Sequence, residues 1–69
     1  MPLALAGLGD EVYIKRIGGR EETRRFLANL GFVPGAMVKV VSKTGENLIV
    51  SVKQSRVAIS SEMAKRIII

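Results

Sequence analysis

The sequence contains no cysteine, no histidine and no tryptophan. Without cysteine there can be no disulfide, and without cysteine or histidine the zinc staple common in small domains is also excluded. The same two absences remove the usual general base and the best thiol nucleophile. Aromatics are limited to Tyr13, Phe26 and Phe32. That is too few to line a groove for proline-rich peptides or to stack successive nucleobases. No apolar run approaches the ~18 residues that cross a bilayer. Met1 to Gly9 carries no basic n-region and is too short for a signal peptide. The absence of cysteine fits a cytoplasmic protein without requiring one.

What remains is aliphatic and basic. The chain has 69 residues, enough for one domain spanning residues 1–69, and a domain of that size buries only about 60% of its unfolded surface. A hydrophobic fraction of 48% is sufficient for a core and argues against disorder. Eleven basic residues against six acidic ones give a net charge of +5, which favours acidic partners. The basic residues are scattered rather than massed, so a solvated face is a better reading than a nucleic-acid site. Stability must come from a compact core, with a homo-oligomer as a further source.

The remaining routes to chemistry are thin. Ser61 and Lys65 have the i,i+4 spacing of a Ser-Lys dyad, but read better as an N-terminal helix residue beside a surface lysine. The acidic pairs Asp10-Glu11 and Glu21-Glu22 read as a solvated turn and a helix first turn, and adjacent strand residues point to opposite faces. Met1, Met37 and Met63 read as core filler. No catalytic residue, cofactor or metal site is therefore expected within one chain. Gly18-Gly19-Arg20, ahead of a helix, lacks the fuller glycine pattern of a phosphate loop and reads as a turn.

The chain is organised around Leu30-Gly31-Phe32-Val33-Pro34-Gly35. Gly31 stands where a left-handed residue ends a helix, Pro34 forbids continuation, and Gly35 completes a turn. Before this hinge the period is helical. Residues 20–30 read as a helix with Thr23, Phe26, Leu27 and Leu30 in one sector, the stripe expected to be buried. Glu21 and Glu22 lie in its first turn, and Glu21 can pair with Arg25. After the hinge, alternation predicts strands over 37–43, 48–53 and 56–59, with turns at 44–47 and at Gln54-Ser55. A strand over 11–17, curved and covered in part on both faces, precedes the helix. Ser60 caps a helical turn near residues 61–65, and 66–69 forms a last strand. In the N-terminal arm, Leu3 and Leu5 plug one end of the core, and Leu8 between two glycines is exposed. The expected fold is mainly β: a small SH3-like five-stranded barrel with one inserted α-helix.

At the hinge the sequence resembles the FeoA family, ferrous iron transport protein A. The likeness runs from Pro2-Leu3 and Gly9 through Ile17-Gly18-Gly19, Leu27 and the hinge to Val38 and Val40. It ends with Ala58-Ile59, Ala64, Ile67 and Ile69. The resemblance implies an SH3-like domain that contacts the cytosolic G-protein domain of the FeoB ferrous iron transporter. A free Met1 with no attached helix-turn-helix favours a stand-alone protein, in the cytoplasm or at the inner membrane face through its partner. Transition-metal binding belongs to descriptions of the family, but no ligand set carries over residue by residue. Two alternatives stay open: a basic nucleic-acid-binding barrel, and a metal-sensing module like the C-terminal domain of iron-dependent repressors. For partner contact, the expected residues are Leu8, Arg24, Arg25 and Phe32, with Phe32 half-packed against Leu27 and its outer edge free.

Overall fold

The computed structural model describes residues Met1–Ile69. After a 3₁₀ turn at Leu3–Leu5 come strands β1 (Glu11–Tyr13) and β2 (Arg16–Ile17), then helix α1 (Glu21–Asn29). Strands β3 (Met37–Lys43), β4 (Asn47–Val52) and β5 (Ser55–Ser60) form a meander, followed by the helical turn α2 (Ser61–Ala64) and β6 (Ile67–Ile68). A four-stranded antiparallel sheet runs β1-β3-β4-β5, and a two-stranded sheet pairs β2 with β6.

The expected strand over residues 11–17 is thus two strands, one in each sheet, and the strand count is six instead of five. The division is a barrel corner. Ile14 is still held to the first sheet, its N–H donating to Ala36 and its carbonyl accepting from Gly35. The next residue has already changed sheets, since the Lys15 N–H donates to Ile68. The chain ends close this second sheet: Met1 and Ile69 exchange bonds of 3.0 and 2.7 Å, and Pro2 bridges Ile68.

Alternation in β3 and β4 sorts the core from the outside. Val38, Val40, Leu48, Val50 and Val52 are buried, together with Ile59 from β5. Leu3, Ala6, Ile14, Leu27, Phe32, Ala64 and Ile67 complete one cluster of 13 residues. Leu3 plugs the core as expected, but Leu5 does not, because the 3₁₀ turn rotates it into solvent. Between Val40 and Ser42 the β3–β4 register shifts, leaving Val41 as an extra residue that bends the strand.

The hinge is a Schellman motif. The N–H of Phe32 donates to Leu27 at 2.9 Å and that of Gly31 to Ala28 at 3.0 Å, which satisfies two carbonyls at the helix end. Gly31 has φ +106°, a conformation that favours glycine. The reversal drives Phe32 into the core, where it is 0% exposed. Phe32 therefore has no free edge, contrary to the sequence expectation. The C″ residue of this motif points back toward the last helical turn, and here that direction is inward.

The helix itself is narrower in its contacts than the sequence suggests. Leu27 is buried, Thr23 and Leu30 are half-buried, and Phe26 is exposed. Thr23, Leu27 and Leu30 stand at i, i+4 and i+7, whereas Phe26 lies about 100° around the helix from Leu27. At the other end Ser60 caps α2 as expected, its Oγ accepting from Met63 N–H at 3.2 Å.

The β4–β5 turn is Lys53-Gln54, one residue earlier than expected, and both residues have positive φ (50° and 66°). This is the geometry of a two-residue type I′ hairpin built without glycine or asparagine. A left-handed residue other than glycine costs roughly 1–2 kcal/mol. Gln54→Gly is therefore expected to raise stability by about 0.5–1 kcal/mol after its extra unfolded-state freedom is counted. A thermal melt followed by far-UV circular dichroism should show the midpoint rising by roughly 3–6 °C.

Candidate interaction surface

Two exposed regions carry side chains able to meet a partner. The first is the outer face of α1. Arg24, Arg25 and Phe26 are exposed in succession around its solvent side, spanning about 200° of the helix, and Phe26 is 50% accessible. Arg25 Nη2 pairs with Glu21 Oε1 at 2.9 Å, as the i,i+4 spacing predicts, and both side chains remain mostly exposed. Such a pair contributes at most about 0.5 kcal/mol and leaves the guanidinium free to exchange partners. The helix starts at Arg20 without a side-chain cap, so Glu21 and Glu22 compensate the first-turn amides electrostatically.

The second region is the outer face of the four-stranded sheet. Cross-strand register aligns Glu11, Lys39, Ser51 and Arg56 in one row across β1, β3, β4 and β5. A shallow groove of about 370 Å³ runs over this row, lined by Gly9, Lys39, Val40, Val41, Ser51 and Arg56. Beside it Tyr13 lies opposite Met37, and both are exposed, as is Ile49 on β4. The signal for this face was in the alternation, since Met37, Lys39 and Val41 fall opposite Val38 and Val40. Arg56 and Lys39 were not singled out because neither sits in a basic run.

Of the residues expected at a contact, Leu8, Arg24 and Arg25 are exposed and Phe32 is buried; the exposed phenylalanine is Phe26. Leu8 is not joined to the helix arginines by any hydrogen bond or ion pair. Its turn is fastened to β3 instead, through Gly9 N–H to the Val40 carbonyl at 2.8 Å. Asp10 closes that turn by accepting from Gly7 N–H at 2.8 Å.

Nothing in the arrangement assembles catalytic or metal-binding chemistry. Lys65 Nζ turns to Glu62 at 3.4 Å, so Ser61 and Lys65 do not form a dyad. No three acidic side chains converge, and with histidine and cysteine absent the donor set does not fit a resident transition metal. No helix is long and apolar enough to cross a membrane.

A family model described as the FeoA domain matches residues 1–69. The chain is 32% identical over 68 residues to a Methanocaldococcus jannaschii protein that bears the provisional name Fe(2+) transport protein A, covering 99% of this chain and 83% of that one. It superposes on the crystal structure of an iron uptake regulatory protein, FeoA, with a TM-score of 0.91 and 32% identity, over 97% of this chain and 91% of the other. The zinc complex of Stenotrophomonas maltophilia FeoA gives a TM-score of 0.87 at 31% identity, over 99% and 87% of the two chains. That protein is described as a procaryotic SH3 domain protein and considered as a ferrous iron transport activating factor. A manganese-dependent transcriptional repressor shares the fold alone, at 20% identity over 39% of its length. An SH3-like barrel closed by its own termini, a Schellman hinge at Gly31 and a family match from end to end lead to one conclusion: this chain belongs to the FeoA domain family.

Proposed function

We propose that this chain is a non-enzymatic accessory of ferrous iron transport, acting in the cytoplasm by contact with the G-protein domain of the FeoB transporter. Family membership and relatives named for Fe(2+) transport support the role. The observation that carries contact rather than chemistry is the exposed face of α1. Arg25 stands opposite the buried Leu27 side, with Arg24 and Phe26 on its two flanks, so two cations and one apolar ring are exposed on a surface the barrel does not use. Arginine and aromatic side chains dominate the energetics of protein interfaces. Leu8 is a separate exposed apolar contact on the turn ahead of β1. Iron is the transporter's cargo in this reading.

Isothermal titration against the isolated G domain tests the proposal. Saturable one-to-one binding is expected, weakened at least tenfold (about 1.4 kcal/mol) by Arg24→Glu with Arg25→Glu. Binding unchanged by that double substitution would move the contact off α1. No heat with the folded wild-type chain would remove the G domain as partner.

A further inference from the structure

Strand β5 is an edge strand, paired on one side with β4 alone. The I′ turn at Lys53-Gln54 closes on the hydrogen-bonded pair Val52/Ser55, so the bonded pairs continue as Val50/Val57 and Leu48/Ile59. The N–H and C=O of Arg56 and Ala58 accordingly point away from β4. Neither residue takes another backbone partner, and both are exposed. Proteins commonly protect such an edge with charged side chains, proline, a bulge or a covering loop, and here the only such guard is the charge of Arg56. This one has no proline, and its register with β4 is unbroken from Asn47/Ser60 to Val52/Ser55.

The side chains around the edge are asymmetric. On the outer face Arg56 stands on the edge strand itself, with Lys39 two strands further in across Ser51, and neither is in an ion pair. Glu11, across from Lys39 in the register, is the one carboxylate of the row and closes no bridge to it. On the other face Val57 is half-buried against the core. The opposite edge of the sheet, β1, is three residues long and carries Glu11 itself, so it offers neither length nor a basic rim.

We infer that the β5 edge is a docking site for an extended, acidic segment of a partner protein, added as a fifth strand to the sheet. Main-chain bonds to Arg56 and Ala58 supply the register. Alternate side chains of the incoming segment then fall on the two faces, acidic ones beside Arg56 and apolar ones beside Val57. A second copy of the chain is a poorer occupant, because it brings +5 against +5 and a second Arg56 to the same rim. The inference rests on the reading of this chain as a protein-contact module and adds to it a surface distinct from α1.

The test titrates the ¹⁵N-labelled full chain with a capped hexapeptide alternating Glu and Val, and separately with its Lys-Val counterpart. The Glu-Val peptide should shift the amides of Arg56 and Ala58 and slow their hydrogen exchange, with affinity falling as salt rises. Ala58→Pro, which deletes only an outward-pointing N–H, should abolish the effect. Arg56→Glu should weaken binding several-fold, and this exposed position keeps the test decisive if the proline variant fails to fold. Absence of change at the edge, equal binding of the Lys-Val peptide, or shifts confined to α1 would overturn the inference. So would edge protection that grows with chain concentration alone, which identifies self-pairing. A chain that binds the G domain but ignores the peptide refutes the edge and leaves the proposed function standing. Peptide binding without G-domain binding does the reverse.

Discussion

Phe32→Ala is expected to remove about half of the protein's stability and lower its melting midpoint by well over 10 °C. Phe32 is the largest fully buried side chain, and truncating a buried phenylalanine costs about 3–5 kcal/mol. A chain of 69 residues has roughly 3.5–10 kcal/mol to lose at ordinary stability per residue. The residue also anchors the hinge. Its N–H ties the end of α1 to Leu27, so the cavity would open where helix and sheet are fastened together. Phe32→Leu, which keeps most of the volume, should cost only about 1–1.5 kcal/mol. Thermal melts by far-UV circular dichroism separate the cases. An alanine variant melting within a few degrees of the wild type would contradict the placement of Phe32 in the core. Loss of partner binding in Phe32→Ala then reports the weakened fold and says nothing about the contact face.

Leu27→Ala is expected to melt α1 while the four-stranded sheet persists. Leu27 is the one buried side chain of a nine-residue helix. Helices shorter than about 12–15 residues have little stability of their own, so α1 depends on its docking. The substitution removes about 2–4 kcal/mol from that docking. Hydrogen exchange should show protection of the α1 amides collapsing, while Val38, Val40 and Val50 in the sheet lose much less. Uniform loss of protection would instead make the helix part of one cooperative unit with the barrel. Because Arg24, Arg25 and Phe26 depend on α1 for their arrangement, the same variant should lose the G-domain contact proposed for that face.

The sequence was most legible where backbone chemistry is local. Gly31 and Pro34 fix the helix end regardless of what surrounds them, and the Ser60 cap and Glu21–Arg25 pair need only residues three or four apart. Alternation separated Val38 and Val40 from Met37 and Lys39, and so exposed the outer sheet face in outline. Three features depended on distant partners and could not be read locally. The break at Ile14-Lys15 contains neither glycine nor proline. It arises because Ala36 and Ile68 capture successive residues into different sheets. The positions of Phe26 and Phe32 are exchanged relative to expectation, since a helical sector shows which residues share a side but not how wide a stripe the barrel covers. The Lys53-Gln54 turn lacks the glycine that would announce it, and its register is imposed by the β4–β5 ladder. The proposed contact residues Leu8, Arg24 and Arg25 were legible as exposed, whereas the row joining Lys39 to Arg56 required the strand register.

The central claim is that this FeoA domain works through protein contact. The most direct measurement is an amide map of the ¹⁵N-labelled chain titrated with the unlabelled cytosolic G domain of the transporter. The account predicts saturable shifts concentrated on α1 around Arg24, Arg25 and Phe26, with the core amides of Val40 and Val50 unmoved. A spectrum unchanged at a several-fold excess of the folded G domain would contradict it.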